Sequence, residues 1–439
     1  MLMSAGLTRR QVLAAAAASS AGLVIGRDLR AAQPEPRRVR VGVVGTGARG
    51  TFLLATMLGF PDVEVPAVCD VDSAAAERAR DIVEKHSGRR PDAYTAGESD
   101  WEKLVARDDL DAVVIATPWD IHARIAVAAM RAGKFVGLEV PACLTMDEAW
   151  DLVHTSEDTG QHCMLLENVN YFRNVLAMQR LIREGVLGTV THALVGYLHS
   201  IPNLSFTDDG KLTWRGRMKA KLNGNLYPTH PIGPTAWWMN INRGDRFVRL
   251  RSVSTKPRYM REYARRRFGA EHPLARRQYA LGDTNTTIIE TANGHTITLY
   301  FDICSPRPYD LIFRVQGTKG CYEGNRDSIY VQGSTPEGQW EVFSTAYQEK
   351  YEHPLWRDLA AEAKKNGGHG GCDYITVHQF LKSVRGRTRP PIDVYDAATW
   401  SAIVPLSIAS VANKGEALDY PDFTRGRWKK DSPIPLAGA

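Results

Sequence analysis

Hydrophobic positions follow two rhythms along the chain, and the change comes near residue 166. Before it, short β-branched runs alternate with stretches of helical periodicity. Val39–Val44 reads as a strand, and Phe52, Leu53, Thr56 and Met57 mark one face of a helix. A second strand runs from Val63 to Cys69, followed by a helix from Ala74 to His86, a strand at Ala112–Ala116 and a helix at Ile121–Ala132. A strand at Phe135–Leu138 and a helix at Met146–Thr159 complete the series. Strands joined through helices predict an α/β fold with a doubly wound parallel sheet, because parallel neighbours need a long crossover. Farther on, Thr189–Leu198, Thr286–Thr291, Thr296–Phe301 and Leu311–Gln316 alternate with period two. These predict a large open, mainly antiparallel sheet in a C-terminal α+β domain.

The extreme N-terminus belongs to neither rhythm. Thr8-Arg9-Arg10-Gln11-Val12-Leu13 opens a modestly hydrophobic, alanine-rich run through Ala14–Ala18 to Val24 and Ile25. Paired arginines directly before such a run resemble a twin-arginine export signal. The expected organisation is a signal over residues 1–32 with cleavage near Ala31-Ala32, a linker over 33–38, a first domain over 39–166 and a second over 167–439. Periplasmic or secreted location follows from that reading.

Composition narrows the classes. With 439 residues, 44% apolar and 24% charged, the chain suits two globular domains, and no other segment reads as a bilayer span. The net charge of +6 sits largely in Arg9, Arg10, the Arg37–Arg40 stretch, Arg261 to Arg267 and Arg425 to Lys430, which read as solvated faces and tails. No aromatic-interleaved basic motif or zinc-finger spacing points to nucleic acid. Six dispersed cysteines without a CxxC pair predict free, mostly buried thiols and no metal site.

The first strand runs into Gly45-Thr46-Gly47-Ala48-Arg49-Gly50 and then into a helix, the context in which GxGxxG binds a dinucleotide. Glycines let the backbone approach a pyrophosphate held at the positive end of the helix. Asp70 closes the second strand where an acid accepts from the adenosine ribose and repels a 2′-phosphate, so NAD is expected over NADP in a Rossmann domain. Asp70 also suits a cap of the next turn. Two strand ends, Ala116-Thr117-Pro118-Trp119-Asp120-Ile121-His122 and Leu138-Glu139-Val140-Pro141, are expected to edge the nicotinamide, although Trp119 and His122 also fit ordinary packing.

In the second half, Tyr227-Pro228-Thr229-His230-Pro231-Ile232-Gly233-Pro234 sets three prolines around a phenol and an imidazole. A stiff extended loop is predicted, leading into a helix that begins near Thr235. His230 can exchange a proton near neutral pH, with Tyr227 orienting it or sharing the proton; capping of the following helix is the other reading. Arg215 and Tyr309 offer hydrogen-bond donors to a ligand, though a lone arginine on a loop also suits solvent. His369 sits in a loop so rich in glycine that either ligand approach or a flexible surface accounts for it.

The strings Gly45–Gly50, Cys69-Asp70-Val71, Ala116–His122 and Leu138–Pro141 resemble the glucose-fructose oxidoreductase and inositol dehydrogenase superfamily. Its dehydrogenases typically read Glu-Lys-Pro where this chain has Glu139-Val140-Pro141. The strings Glu167–Tyr171, Gly196–His199, Gly224–His230, Asn240–Phe247, Ser305–Tyr309 and Gly367–Gly371 resemble glycoside hydrolase family 109, from about Val41 to beyond Trp400. One departure is Pro231-Ile232, where that family more often has Gly-Leu.

The resemblance implies an NAD-dependent glycosidase acting on N-acetylgalactosaminides, α-linked above all. It puts Arg49, Gly50, Asp70, Trp119, Asp120, Ile121, His122, Glu139, Val140, Asn168 and Tyr227 on NAD, beside Gly45 and Gly47 of the glycine turn. It puts Tyr197, Arg215, Tyr227, Pro228, Thr229, His230 and Tyr309 on the sugar, with His230 as acid/base and Tyr227 assisting. The implied chemistry is transient oxidation at C3, loss of the C2 proton, expulsion of the C1 group, addition of water and return of the hydride. A small glycoside or glycan terminus is the expected partner, with a homo-oligomer open. Two other readings are an exported sugar dehydrogenase of the same fold, disfavoured by Val140, and a non-catalytic sugar-binding protein that keeps NAD for stability.

Overall fold

In the computed structural model, which describes residues 38–366 and 368–433, six parallel strands form the first sheet. They are β1 (Val39–Val44), β2 (Val63–Cys69), β3 (Asp92–Tyr94), β4 (Ala112–Ile115), β5 (Phe135–Leu138) and β6 (Cys163–Leu165), in the order β3-β2-β1-β4-β5-β6. All four residues of β4 and of β5 are buried, as a strand covered on both faces requires. The order reverses between β1 and β4, and ligands of such sheets lie at the strand carboxyl ends beside that point.

The expected elements are present with small shifts at their ends. The first helix spans Ala48–Leu58, the second Ser73–Ser87, and Met146–Thr159 is as expected, closed by a capping box between Thr145 and Glu148. The strand at residue 112 stops at Ile115, and a 3₁₀ turn at Trp119–Ile121 precedes the helix His122–Arg131.

The second sheet has nine strands: β7 (Val190–Leu198), β8 (Phe247–Ser254), β9 (Asn285–Thr291), β10 (Thr296–Asp302), β11 (Asp310–Gly317), β12 (Gly320–Glu323), β13 (Ser328–Val331), β14 (Glu341–Val342) and β15 (Leu418–Asp419). Their order is β14-β13-β12-β11-β7-β10-β9-β8-β15, antiparallel except where β10 runs parallel to β7. The sheet extends well beyond the four runs that alternation marks. Its outer strands β12 to β15 have two to four residues each, too few for period two to stand out.

Chain from the far end returns to cover the first sheet. Helix Cys372–Gly386 lays Phe380 against Gly137 of β5, where an added Cβ would lie 2.9 Å from the ring, and stacks Tyr374 on Phe60 at 4.7 Å. The string Asn240–Phe247 has a structural explanation of its own. Buried Arg243 grips Asp396 through two bonds of 2.8 and 2.7 Å and reaches Asp393 at 3.0 Å, tying the loop to helix Val394–Ser401.

Two expectations need correction. The segment Val394–Ala412 does have the length and apolarity of a membrane span, but 78% of its apolar window is buried inside the protein. The stiff loop at Tyr227–Pro234 is instead mostly helix, starting at Thr229 and running to Trp238. Pro231 falls in its first turn, where its missing N–H costs nothing, and Pro234 is carried farther in. The six cysteines are free and five are buried. The export segment and residues 33–37 of the linker lie outside the described residues.

Candidate active site

The glycine turn fits a dinucleotide. Gly45 has φ +87°, and a Cβ there would meet the Ala116 carbonyl carbon at 2.6 Å; a Cβ on Gly50 would lie 1.7 Å from the Gly45 oxygen. Gly47, by contrast, faces open space. It caps the helix Ala48–Leu58 with no side-chain bond, so the first N–H groups are free of side-chain acceptors and suited to a phosphate. Asp70 braces this turn: Oδ2 accepts from the Thr46 N–H at 2.7 Å and Oδ1 from the Asp72 N–H at 2.9 Å. The expected turn contact of Asp70 is thus present, and the same carboxylate also braces the glycine turn. Asp70→Ala should weaken NAD by roughly tenfold or more and narrow the preference over NADP, for loss of a charge-assisted bond on the order of 1.5–3 kcal/mol. Titration of both nucleotides by fluorescence quenching checks this, and unchanged affinity and preference would leave Asp70 a turn residue only.

Strand ends β5 and β6 carry the next layer. Glu139 follows β5 and accepts from Arg49 Nε at 2.7 Å, while Arg49 Nη1 reaches Asp373 at 2.9 Å. Burial works against the charge of Arg49, yet the paired carboxylates hold it well above the ordinary guanidinium value. Burial would likewise raise Asp373, but the His369 hydrogen bond and Arg49 outweigh it and hold its carboxyl low. Asn168 donates to the same Asp373 at 2.9 Å, and His369 Nδ1 lies 2.6 Å from it. The glycine-rich loop thus brings His369 to the nucleotide side of the molecule; its hydrogen bond with Asp373 raises its affinity for a proton.

Val140 is packed in the core beside Glu139. His122 is turned inward: it is 1% exposed, with Nδ1 2.8 Å from the Pro141 carbonyl and Nε2 2.9 Å from that of Thr117. Burial pushes its proton affinity down against those two carbonyls. Its ring braces the two strand ends together. Asp120 is exposed and Ile121 half-buried on the same 3₁₀ turn.

Trp119 is where the two sheets meet chemically. Its ring lies 4.9 Å from Trp214 and 5.6 Å from Tyr227, and Arg215 stacks over both indoles at 5.3 and 4.3 Å. Arg215 is not on a loop as expected but on helix Trp214–Lys221, without a carboxylate partner among the described residues. Burial lowers its pKa from the usual guanidinium value.

From Tyr227 the cluster continues outward. Tyr227 lies 5.2 Å from Tyr197 and 4.8 Å from His230; Tyr197 lies 5.2 Å from His230; Tyr309 lies 6.1 Å from Tyr197 and 4.9 Å from His199. Burial raises the phenols of Tyr227 and Tyr197, keeping both protonated as donors. Pro228 and Thr229 are buried at the helix start, so their side chains support the turn that aims His230.

The pairing that gives this cluster its chemistry is His230 with Glu167. His230 Nδ1 lies 2.7 Å from Oε1 of Glu167, which is wholly buried and also accepts from the Val169 N–H at 3.0 Å. A buried carboxylate that anchors an imidazole through one nitrogen fixes the orientation of the ring.

The family models for the oxidoreductase family with NAD-binding Rossmann fold and for the glycosyl hydrolase 109 C-terminal domain match residues 39–166 and 171–430. The chain belongs to glycoside hydrolase family 109. A family 109 protein of Stenotrophomonas maltophilia (strain K279a) is 40% identical over 98% of both chains. An alpha-N-acetylgalactosaminidase of Tannerella forsythia is 38% identical over 97% of this chain and 98% of its own. Among solved structures, a levoglucosan dehydrogenase in complex with NADH covers 88% of this chain and 100% of its own, with a TM-score of 0.67 at 20% identity. That likeness is one of fold. This family 109 enzyme is therefore an NAD-dependent glycosidase, and the sugar-dehydrogenase alternative is not favoured.

Four residues at the site went unassigned in the sequence: Glu167, His199, Trp214 and Asp373. Glu167 and His199 lie in strings that resemble the family, yet nothing in spacing says that Glu167 meets an imidazole 63 residues away.

Proposed function

We propose that this glycosidase hydrolyses terminal N-acetylgalactosaminides, α-linked above all, by a route in which the sugar is transiently oxidised at C3. The observation that carries the reading is the state of the buried carboxylates. Two-carboxylate hydrolysis needs one carboxyl free to protonate the leaving group and a second free to act as nucleophile or base. Here Glu139 is held by Arg49 and Glu167 by His230. The titratable groups that face one another in the cluster are imidazole and phenol, which suits removal of a C2 proton next to a ketone. The relative of that activity from Tannerella forsythia supports the sugar class.

NAD, when bound, supplies a hydride acceptor that later returns the same hydride. It would be held by the glycine turn Gly45–Gly50, with Asp70, Trp119, Glu139, Val140 and Asn168 along its length. The chain's own side chains do the rest. Nε2 of His230 takes the C2 proton and later returns it, while Glu167 keeps Nδ1 protonated and the ring oriented. The Tyr227 phenol, kept protonated, donates to the developing oxyanion. Arg215 has a guanidinium free of carboxylates for the acetamido oxygen. The apolar Val140 leaves the dehydrogenase position without an ammonium group. Export through the twin-arginine route belongs to the same reading, supported by Arg9-Arg10 before the alanine-rich run.

A panel of nitrophenyl glycosides tests it, with chromophore release and free NADH followed together. Release from the N-acetyl-α-galactosaminide without NADH in solution, by protein that retains its nucleotide through purification, is expected. Accumulating NADH with an oxidised sugar would overturn the hydrolytic reading, and activity confined to another sugar would overturn the substrate.

A further inference from the structure

We propose that His199, held by Tyr197, protonates the departing C1 oxygen of the glycoside and takes a proton from the water that replaces it. This rests on the elimination route above, which sets two separate proton tasks. His230 meets the one at C2. The C1 oxygen of an alkyl glycoside is a poor leaving group, so its expulsion calls for an acid at a different atom.

The cluster holds a second imidazole in the right setting. His199 follows β7, where its backbone N–H bonds the Asp302 carbonyl at 2.8 Å. Its Nδ1 lies 2.8 Å from the Tyr197 hydroxyl, and its ring sits 4.9 Å from that of Tyr309. Nε2 makes no hydrogen bond among the described residues. Along the cluster Trp119 and Tyr197 are buried, at 4% and 7%, Tyr227, His230 and His199 are half-buried, and Tyr309 is exposed, at 53%. A sugar resting against Tyr227 and His230 would therefore send its aglycone outward past His199 and Tyr309. Burial and the facing His230 lower the proton affinity of His199, so its imidazolium is the stronger acid but the smaller fraction at neutral pH.

The protons of the elimination and of the water addition balance. Nδ1–H of His199 donates to the Tyr197 oxygen throughout, while Nε2–H goes to the glycosidic oxygen as the C1–O bond breaks and its electron pair leaves with the aglycone. The C2–H pair forms the C1–C2 double bond, with that proton on His230. Water then adds its oxygen to C1 and gives a proton to Nε2 of His199. C2 recovers its proton from His230, and the cycle closes with both imidazoles restored.

The test compares His199→Gln and His199→Ala with the parent on 2,4-dinitrophenyl and methyl N-acetyl-α-galactosaminides, after NAD content has confirmed intact holoenzyme. The acidic phenol departs unaided; methanol does not. Loss on the methyl glycoside should exceed loss on the dinitrophenyl glycoside by about a hundredfold or more, within the range of a general acid. Exchange of the C2 proton with deuterated solvent should persist in these variants. Equal losses on the two substrates, or loss of C2 exchange alongside, would overturn the assignment and make His199 a packing residue. A parent enzyme that cleaves neither glycoside would instead bring down the glycosidase reading, and this role with it.

Discussion

Replacing His230 with alanine should cut turnover by about a hundredfold to ten-thousandfold while NAD stays bound. The two halves of that expectation have different causes. His230 stands at the start of helix Thr229–Trp238, across Tyr227 from Trp119, so no contact of the glycine turn or of Asp70 passes through it. Turnover is expected to fall because, on the proposed route, the free ring nitrogen is the acceptor for the C2 proton. Exchange of that proton with deuterated solvent should fall in parallel with hydrolysis, as measured by mass spectrometry of recovered substrate. The truncation also leaves buried Glu167 without its imidazole donor, at a cost of about 1–3 kcal/mol in denaturant unfolding. A variant that hydrolyses at the parent rate would remove His230 from the chemistry, and one that loses NAD would make it structural.

Glu167→Gln should come close to the same kinetic loss without touching the imidazole. Glutamine is nearly isosteric, and its carbonyl can still accept from the Val169 N–H, so local geometry is preserved. What disappears is the negative charge that holds Nδ1 protonated and stabilises the ring once it has taken a proton. Neutralising the orienting carboxylate of such a pair lowers kcat by as much as about ten-thousandfold in a serine protease triad. We expect roughly a hundredfold or more here, in kcat with little change in KM. The His230 Nδ1 proton resonance, sheltered by a buried acceptor in the parent, should move or broaden. The double variant should be no slower than His230→Ala alone, since the two residues act as a unit. It should also be more stable than His230→Ala, because an uncharged amide tolerates the buried position better than a lone carboxylate. Additive kinetic losses would mean that Glu167 and His230 serve separate functions.

Much of this molecule was legible from local pattern. The strand Val39–Val44, the turn Gly45–Gly50 and Asp70 lie within 32 residues of one another, and each obeys a rule of backbone geometry that neighbours in sequence satisfy. Helix Met146–Thr159 could be read with its boundaries because cap and periodicity agree. Strands β7, β9, β10 and β11 of the second sheet showed themselves by alternation, whereas β12 to β15 are too short to do so, and β8 does not because its buried Ser252 and exposed Val253 invert the pattern. The loop at Tyr227 misled for a reason specific to proline. Pro231 and Pro234 advertise an extended chain, yet the first turn of a helix has no need of the N–H that Pro231 lacks, and packing carries Pro234.

The sequence by itself determined which classes of residue to expect at the site: glycines for a phosphate, an acid for a ribose, an imidazole and phenols for a sugar. Only the tertiary structure decided their partners. Arg49 could be read as a nucleotide contact, but its bonds to Glu139 and Asp373 join positions 90 and more than 300 residues apart. His122 could be read as an edge residue, and the fold turns it into a brace between two strand ends. Glu167 has no signal of its own role until β6 and helix Thr229–Trp238 bring it within 2.7 Å of His230. The physical reason is the range of the forces involved. Turns, caps and alternation are settled by a few adjacent dihedrals, whereas a buried carboxylate finds its donor only after two sheets have closed around it and excluded the water that would otherwise satisfy both.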